Sequence, residues 1–103
     1  MFARVTTVRS HVQDLDPGIV FARDQLVPKL QQYQGFEGTM LLADRTVGVA
    51  FAITFWTSEE DLAASREDAQ QLTAMAAQAF HVHVDVRECA VAFSTFAGST
   101  PTE

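Results

Sequence analysis

The chain of 103 residues is long enough for one hydrophobic core and too short for two. Its 48% hydrophobic and 19% charged residues exclude an intrinsically disordered polymer, which needs the opposite balance. Seven basic against 13 acidic residues give a formal charge of −6 with no basic cluster, so nucleic acid, whose phosphates must be neutralised, is not an expected partner.

In chain order, Phe2 to Arg9 contains Val5, Thr6, Thr7 and Val8, β-branched residues that favour an extended backbone and predict a first strand. Asp16-Pro17-Gly18 predicts a helix start, with Asp16 as the capping carboxylate and Pro17 at the first helical position, where its missing N–H costs nothing. Ile19, Ala22, Leu26, Leu30 and Tyr33 then recur at three- and four-residue steps, opposite Arg23, Asp24, Lys29 and Gln31, which is an amphipathic helix with one buried face. Pro28 removes a bond to the carbonyl of Asp24, so the helix is expected to kink or restart there, with Gly35 as its stop.

From Phe36 to Trp56 the pattern becomes that of a β-hairpin turning at Asp44-Arg45-Thr46. Ser58-Glu59-Glu60-Asp61 opens a second helix with a cap and three carboxylates suited to the helix dipole. Ser65-Arg66-Glu67-Asp68 repeats that signature, predicting a short helix, a break, and a longer helix carrying Leu72, Met75, Ala76, Ala79 and Phe80. Val82, Val84, Val86, Val91, Phe93 and Phe96 mark one long final strand, or two pieces joined by a bulge near Glu88-Cys89. Residues 1–97 then form a single domain, and 98–103, with nothing to bury, a mobile tail. The one cysteine, Cys89, lacks an evident activating cation and is expected to be a buried, inert thiol. With no basic-then-apolar leader and no apolar run of bilayer length, a cytoplasmic location without a membrane partner is the expectation.

Strand, helix, hairpin, helix, strand is the doubled split β-α-β unit, so the expected fold class is α+β: a ferredoxin-like βαββαβ domain with a four-stranded antiparallel sheet and both helices on one face. The uncovered face should read polar. Instead Val47, Val49, Phe51, Ile53 and Phe55 share one parity of the third strand, while Ala50, Ala52, Thr54 and Trp56 share the other. A bulky apolar face of this kind predicts a homodimer in which a second copy covers it. The small residues of the opposite parity either let the helices approach closely or leave a cavity beside Trp56.

These residues carry a resemblance. Gly35-Phe36-Glu37-Gly38, Leu41-Leu42-Ala43-Asp44 and Thr54-Phe55-Trp56-Thr57-Ser58-Glu59-Glu60 resemble the antibiotic-biosynthesis-monooxygenase family of dimeric α/β barrels over nearly the whole chain. The resemblance implies two ferredoxin-like protomers with facing sheets, each with an apolar pocket between sheet and helices. It implies a cofactor-independent monooxygenase acting on a small aromatic or polyketide-like compound, or a non-catalytic dimer of the same fold that binds a small ligand or is purely structural. It also makes Trp56 the leading substrate contact, with Ala52 and Thr54 beside it. The quinone-forming members have an asparagine and a tyrosine where this chain has Ala52 and Leu62. Haem-degrading members have an axial histidine on the second helix, and Ser58 to Ala79 contains none, so haem cleavage is not expected, and the resemblance to cofactor-independent members implies no cofactor.

Oxygenation without a cofactor needs a deprotonated substrate held away from water, hence a base. His83 is the residue read into that catalytic role, because its unperturbed pKa lies near working pH. Tyr33, the only tyrosine, is a second substrate-binding candidate through its hydroxyl, or a core ring with that hydroxyl at the rim. His81, His83 and Asp85 alternate along one predicted strand and together suggest a metal site, against the simpler reading of solvated residues at a strand entrance. Arg9 and Arg66 are available to orient an anion, although surface ion pairs are the ordinary fate of such side chains.

Overall fold

The computed structural model describes residues 1–96, and the expected tail at 98–103 lies outside them. The first strand, β1 (Phe2–Arg9), is followed by α1 (Val12–Phe21), a π-helical segment at Ala22–Leu26, and the short α2 (Val27–Leu30). The hairpin is β2 (Phe36–Asp44) and β3 (Val49–Trp56), after which come α3 (Glu59–Ala64), α4 (Arg66–Phe80) and β4 (His83–Ala90). The sheet has four strands in the order β2-β3-β1-β4, every neighbouring pair antiparallel. This is the βαββαβ architecture read from the sequence.

Local chemistry accounts for most of the boundaries. Ser58 caps α3 by accepting the backbone N–H of Asp61 at 3.1 Å while its own hydroxyl donates to the Asp61 carboxylate. The helix breaks at Ser65, and α4 begins one residue on. The hairpin turns through residues 45–48, with Gly48 at φ 76° and its N–H on the Asp44 carbonyl. A β-carbon on Gly48 would stand 2.4 Å from the carbonyl oxygen of Ser10, so this turn requires glycine.

Two expectations are corrected. Helix α1 begins at Val12 rather than after Asp16, and Pro17 lies inside it. Burying Leu15 requires the helix to be under way earlier, and Pro17 is tolerated because it lies on an exposed part of the helix, where a lost intrahelical bond costs less than it would in the core. Asp16 instead pairs with Arg45 at 2.8 Å. The final strand is neither long nor bulged: its register with β1 is unbroken through Glu88 and Cys89. It ends at Ala90, the N–H of Val91 makes one more bond to Met1, and Phe93 and Phe96 follow exposed.

Pro28 interrupts the helix as expected. The N–H of Val27 reaches back to the carbonyl of Ala22, a π-type bond, and α2 restarts with Pro28 in its first turn. The wider turn separates the Asp24 carbonyl from the proline ring that would otherwise crowd it.

The helices cover one sheet face. Its inward residues are Arg4, Thr6 and Val8 on β1, Ala50, Ala52, Thr54 and Trp56 on β3, and Val84 on β4. Trp56 is wholly buried, Leu15, Leu62 and Ala69 close the helix side, and no helix among the described residues is long and apolar enough to cross a membrane. The opposite face carries Leu42, Val49, Phe51, Ile53 and Phe55, with Leu42 and Phe51 exposed.

Candidate functional site

Small side chains on the sheet leave room under the helices. Between Ala50, Ala52 and Thr54 below and Ile19, Leu26 and Leu72 above lies a cavity of about 160 Å³, lined almost entirely by apolar groups. Of the two alternatives left open for Ala50 and Ala52, the structure takes a cavity, but Trp56, beside which it was expected, is not among the residues that line it. A dry cavity of roughly 150 Å³ is large enough to accept a benzene ring.

Five sequence-predicted residues divide around this space. Ala52 and Thr54 line it. Trp56 stands behind Thr54 rather than on the cavity wall: its indole N–H donates to Thr54 Oγ1 at 3.0 Å, and its ring packs edge-on against Phe36 and Tyr33. Tyr33 faces a shallow groove over Lys29 and Met75, where its hydroxyl donates to the Asp68 carboxylate. That bond, with some burial, raises the pKa of the tyrosine hydroxyl above its ordinary value.

His83 is not brought to the cavity. Strand alternation places Val84 toward the helices and His83 toward the open face, where it is exposed with Nε2 3.8 Å from Asp85 Oδ2. Nor do His81, His83 and Asp85 share one strand face, because His81 terminates α4 in the left-handed conformation at φ 53°. Among the described residues no group of three or more histidine, cysteine or acidic side chains is placed to hold a metal ion. Cys89 is exposed beside Ala3 rather than buried. Arg9 pairs with Asp85 at 3.1 Å and Arg66 with Glu88 at 2.6 Å.

The polar side chains that do meet the cavity include two the sequence reading passed over. Asp14, in the first turn of α1, lines one end, half-buried, its carboxylate without a hydrogen-bond or ion-pair partner among the described residues. Arg4 lines the other end, nearer Trp56, and is only 6% exposed. Its guanidinium donates to Glu88 from Nε at 3.3 Å and from Nη2 at 3.1 Å, to the Leu62 carbonyl at 2.9 Å and to Ser65 Oγ at 3.1 Å. It also lies 5.7 Å from the centre of the Trp56 ring. Hydrogen bonds from Arg66, with those from Arg4, hold Glu88 below the usual carboxylate range although burial works against them. The sequence signal for Arg4 was available: an arginine on the strand parity that faces the helices must be paired.

The fold recurs among solved structures. Over 92% of the chain the structure superposes on a monooxygenase of Streptomyces coelicolor in complex with nanaomycin D, covering 90% of that chain with a TM-score of 0.73 at 13% identity. A dimeric ferredoxin-like protein from an uncultured marine organism matches with a TM-score of 0.70 at 13% identity, 91% of this chain against 97% of that one. A haem degrader of Mycobacterium tuberculosis, with two haems in its active site, matches with a TM-score of 0.66 at 18% identity over 93% of this chain and all of that one. The chain therefore has the ferredoxin-like fold that these structural neighbours share. In sequence it is similar to two uncharacterized proteins of Mycobacterium tuberculosis, 35% identical over 80 residues and 34% identical over 92. Those stretches are 78% and 89% of this chain but 36% and 39% of the relatives, so the chain spans little more than a third of their length. No protein-family model matches the chain.

Proposed function

We propose that this chain is a cofactor-independent monooxygenase of the antibiotic-biosynthesis type, acting on a small aromatic or polyketide-like compound bound between sheet and helices. The observation that carries the reading is the apolar cavity of about 160 Å³ over Ala50, Ala52 and Thr54. Oxygenation of an electron-rich phenol or anthrone begins with loss of a proton, and an environment poor in water protects the resulting anion from reprotonation. The cavity supplies the apolar walls, and Asp14 supplies an unpartnered carboxylate at one end. We assign Asp14 the proton-acceptor role that the sequence gives to His83, because His83 belongs to the other face of the sheet. Trp56 supports the site from behind Thr54.

The working unit in this proposal is a homodimer, with the Phe51 face of each protomer on that of its twin. Neighbours of the same fold are dimeric, and the exposed Phe51 and Leu42 need such a cover. Oxygen consumption by the purified protein with anthrones and single-ring hydroquinones tests the chemistry. Uptake above the spontaneous rate, saturating with substrate, is expected, and none across the panel overturns it.

A second reading, a binding protein without chemistry, is favoured by one observation: Ala52 and the 2%-exposed Leu62 stand where quinone-forming proteins of this type are expected to have polar groups. Ligand binding by calorimetry with no oxygen uptake is its signature.

A further inference from the structure

Arg4 is a costly residue for an ordinary core. A guanidinium that is 93% removed from water loses its hydration and must recover it from neighbours. Of its five N–H bonds, four are accounted for: Nε and one Nη2 proton on Glu88, the other Nη2 proton on the Leu62 carbonyl, and one Nη1 proton on Ser65 Oγ. The Ser65 hydroxyl is itself turned away, donating to the Leu62 carbonyl at 2.9 Å. The second Nη1 proton has no acceptor among the described residues, and Arg4 belongs to the cavity wall.

The carboxylate that holds it is also shared. Glu88 serves two guanidinium groups, Arg4 and Arg66, and Glu59 acts electrostatically on Arg66 as well, so Arg4 does not hold its counter-charge alone. Arg66 is half exposed and screened by water, whereas Arg4 is not. An apolar space with a buried arginine in its wall, one of whose N–H groups is unused, is suited to a ring bearing an oxygen that carries negative charge.

We propose that Arg4 is the polar anchor of the cavity, receiving the phenolate or enolate oxygen of an aromatic ligand on its free Nη1–H. Glu88, Ser65 and the Leu62 carbonyl hold the guanidinium in place, and the Trp56 ring stacks near it. This rests on the reading of the cavity as a ligand site, but not on oxygen chemistry: a binder without activity would use the same anchor. It also names the ligand class more narrowly than the cavity does, as an aromatic with an ionisable hydroxyl or enol.

The test is the titration of 4-nitrophenol bound to the intact protein, followed by its phenolate absorbance, with nitrobenzene as a neutral companion ligand. A purely apolar cavity raises the pKa of a bound phenol because it disfavours the anion, whereas a cationic donor lowers it. We expect bound 4-nitrophenol to titrate at least about one pH unit below the free compound. In Arg4→Met the shift should reverse to an increase, while nitrobenzene still binds. In Arg4→Lys, which keeps the charge but loses the planar fork, the lowering should shrink. An unchanged or raised pKa in the wild-type protein overturns the anchor even if neither variant folds. Failure of both compounds to bind overturns the cavity as a ligand site and the anchor with it, so the two ideas fail in distinguishable ways.

Discussion

Asp14 and His83 illustrate how one position along a strand or helix decides which chemistry a side chain can reach. Replacing Asp14 with asparagine keeps its size and removes its ability to take a proton, so turnover of an active substrate should fall by roughly 10²-fold or more with little change in melting temperature. His83→Ala should leave turnover within about twofold, since that side chain is solvated on the other face. A large loss in His83→Ala with turnover kept in Asp14→Asn would return the base to His83. Glu88 bears a different load. Its pKa in the folded protein is lowered, so the stability it contributes is fully present above the unfolded carboxylate pKa and is lost as pH falls through the folded value. Glu88→Gln leaves Arg4 buried with a neutral partner and should destabilise the protein near neutral pH by about 1–3 kcal/mol. Compared by thermal melts from pH 7 downward, the gap between wild type and variant should close once the medium is acidic enough to protonate Glu88. A gap that stays constant with pH would show that the carboxylate charge is not what holds Arg4.

Among the elements, the strands and the second helical region were legible because their cues are local. The β-branched run of β1 and the Ser58 cap each act within a few residues and stand where the sequence put them, whereas the turn after Asp44 runs through residues 45–48, so that Val47, read as part of the third strand, lies exposed in the turn. The first helix was misread because its strongest local cue, Asp16-Pro17, was overruled at a distance: Leu15 has to be delivered to the core, and Arg45 captures Asp16 from the hairpin turn. Pro17 is therefore a defect that α1 carries rather than the start it resembles. Pro17→Ala should restore the bond to Gln13 and, after the loss of proline's restraint on the unfolded chain, stabilise the protein by about 1–2 kcal/mol. That is a rise of several degrees in Tm, read by calorimetry or circular dichroism. A lower Tm would mean that the proline fixes the helix entry after all. Pro28 was read correctly because the conflict it creates with the Asp24 carbonyl is contained within a single turn. The end of β4 could not be read from alternation alone, since Phe93 and Phe96 continue an apolar pattern beyond the last residue that β1 can pair.

At the scale of the whole molecule, parity was the most informative property of the sequence. It separated Ala50, Ala52 and Thr54 from Phe51, Ile53 and Phe55 and thereby told the cavity face from the open face. Parity could not reveal the Arg4 network, because that depends on β4 and the α3–α4 junction arriving at one point, and no periodicity within a strand records such a meeting. For the open face, light scattering at low micromolar concentration should give about twice the 11.3 kDa of one chain. Phe51→Asp, which sets a charge in the middle of the apolar patch, should return the mass to that of a single chain while far-ultraviolet circular dichroism remains folded. A wild-type mass of one chain would leave that face without its proposed cover.

The order β2-β3-β1-β4 leaves the hairpin strand β2 and the closing strand β4 as the rims of the sheet. Along β4, His83, Asp85, Arg87 and Glu88 put ionic groups on both sides of the ribbon. Such a rim discourages another strand from zipping onto it, because each added ribbon would have to accommodate unmatched charges. Addition at the β4 rim is thereby disfavoured, and in the proposed dimer association falls instead to the apolar side, where two copies related by a twofold axis would satisfy each other and leave nothing for a third.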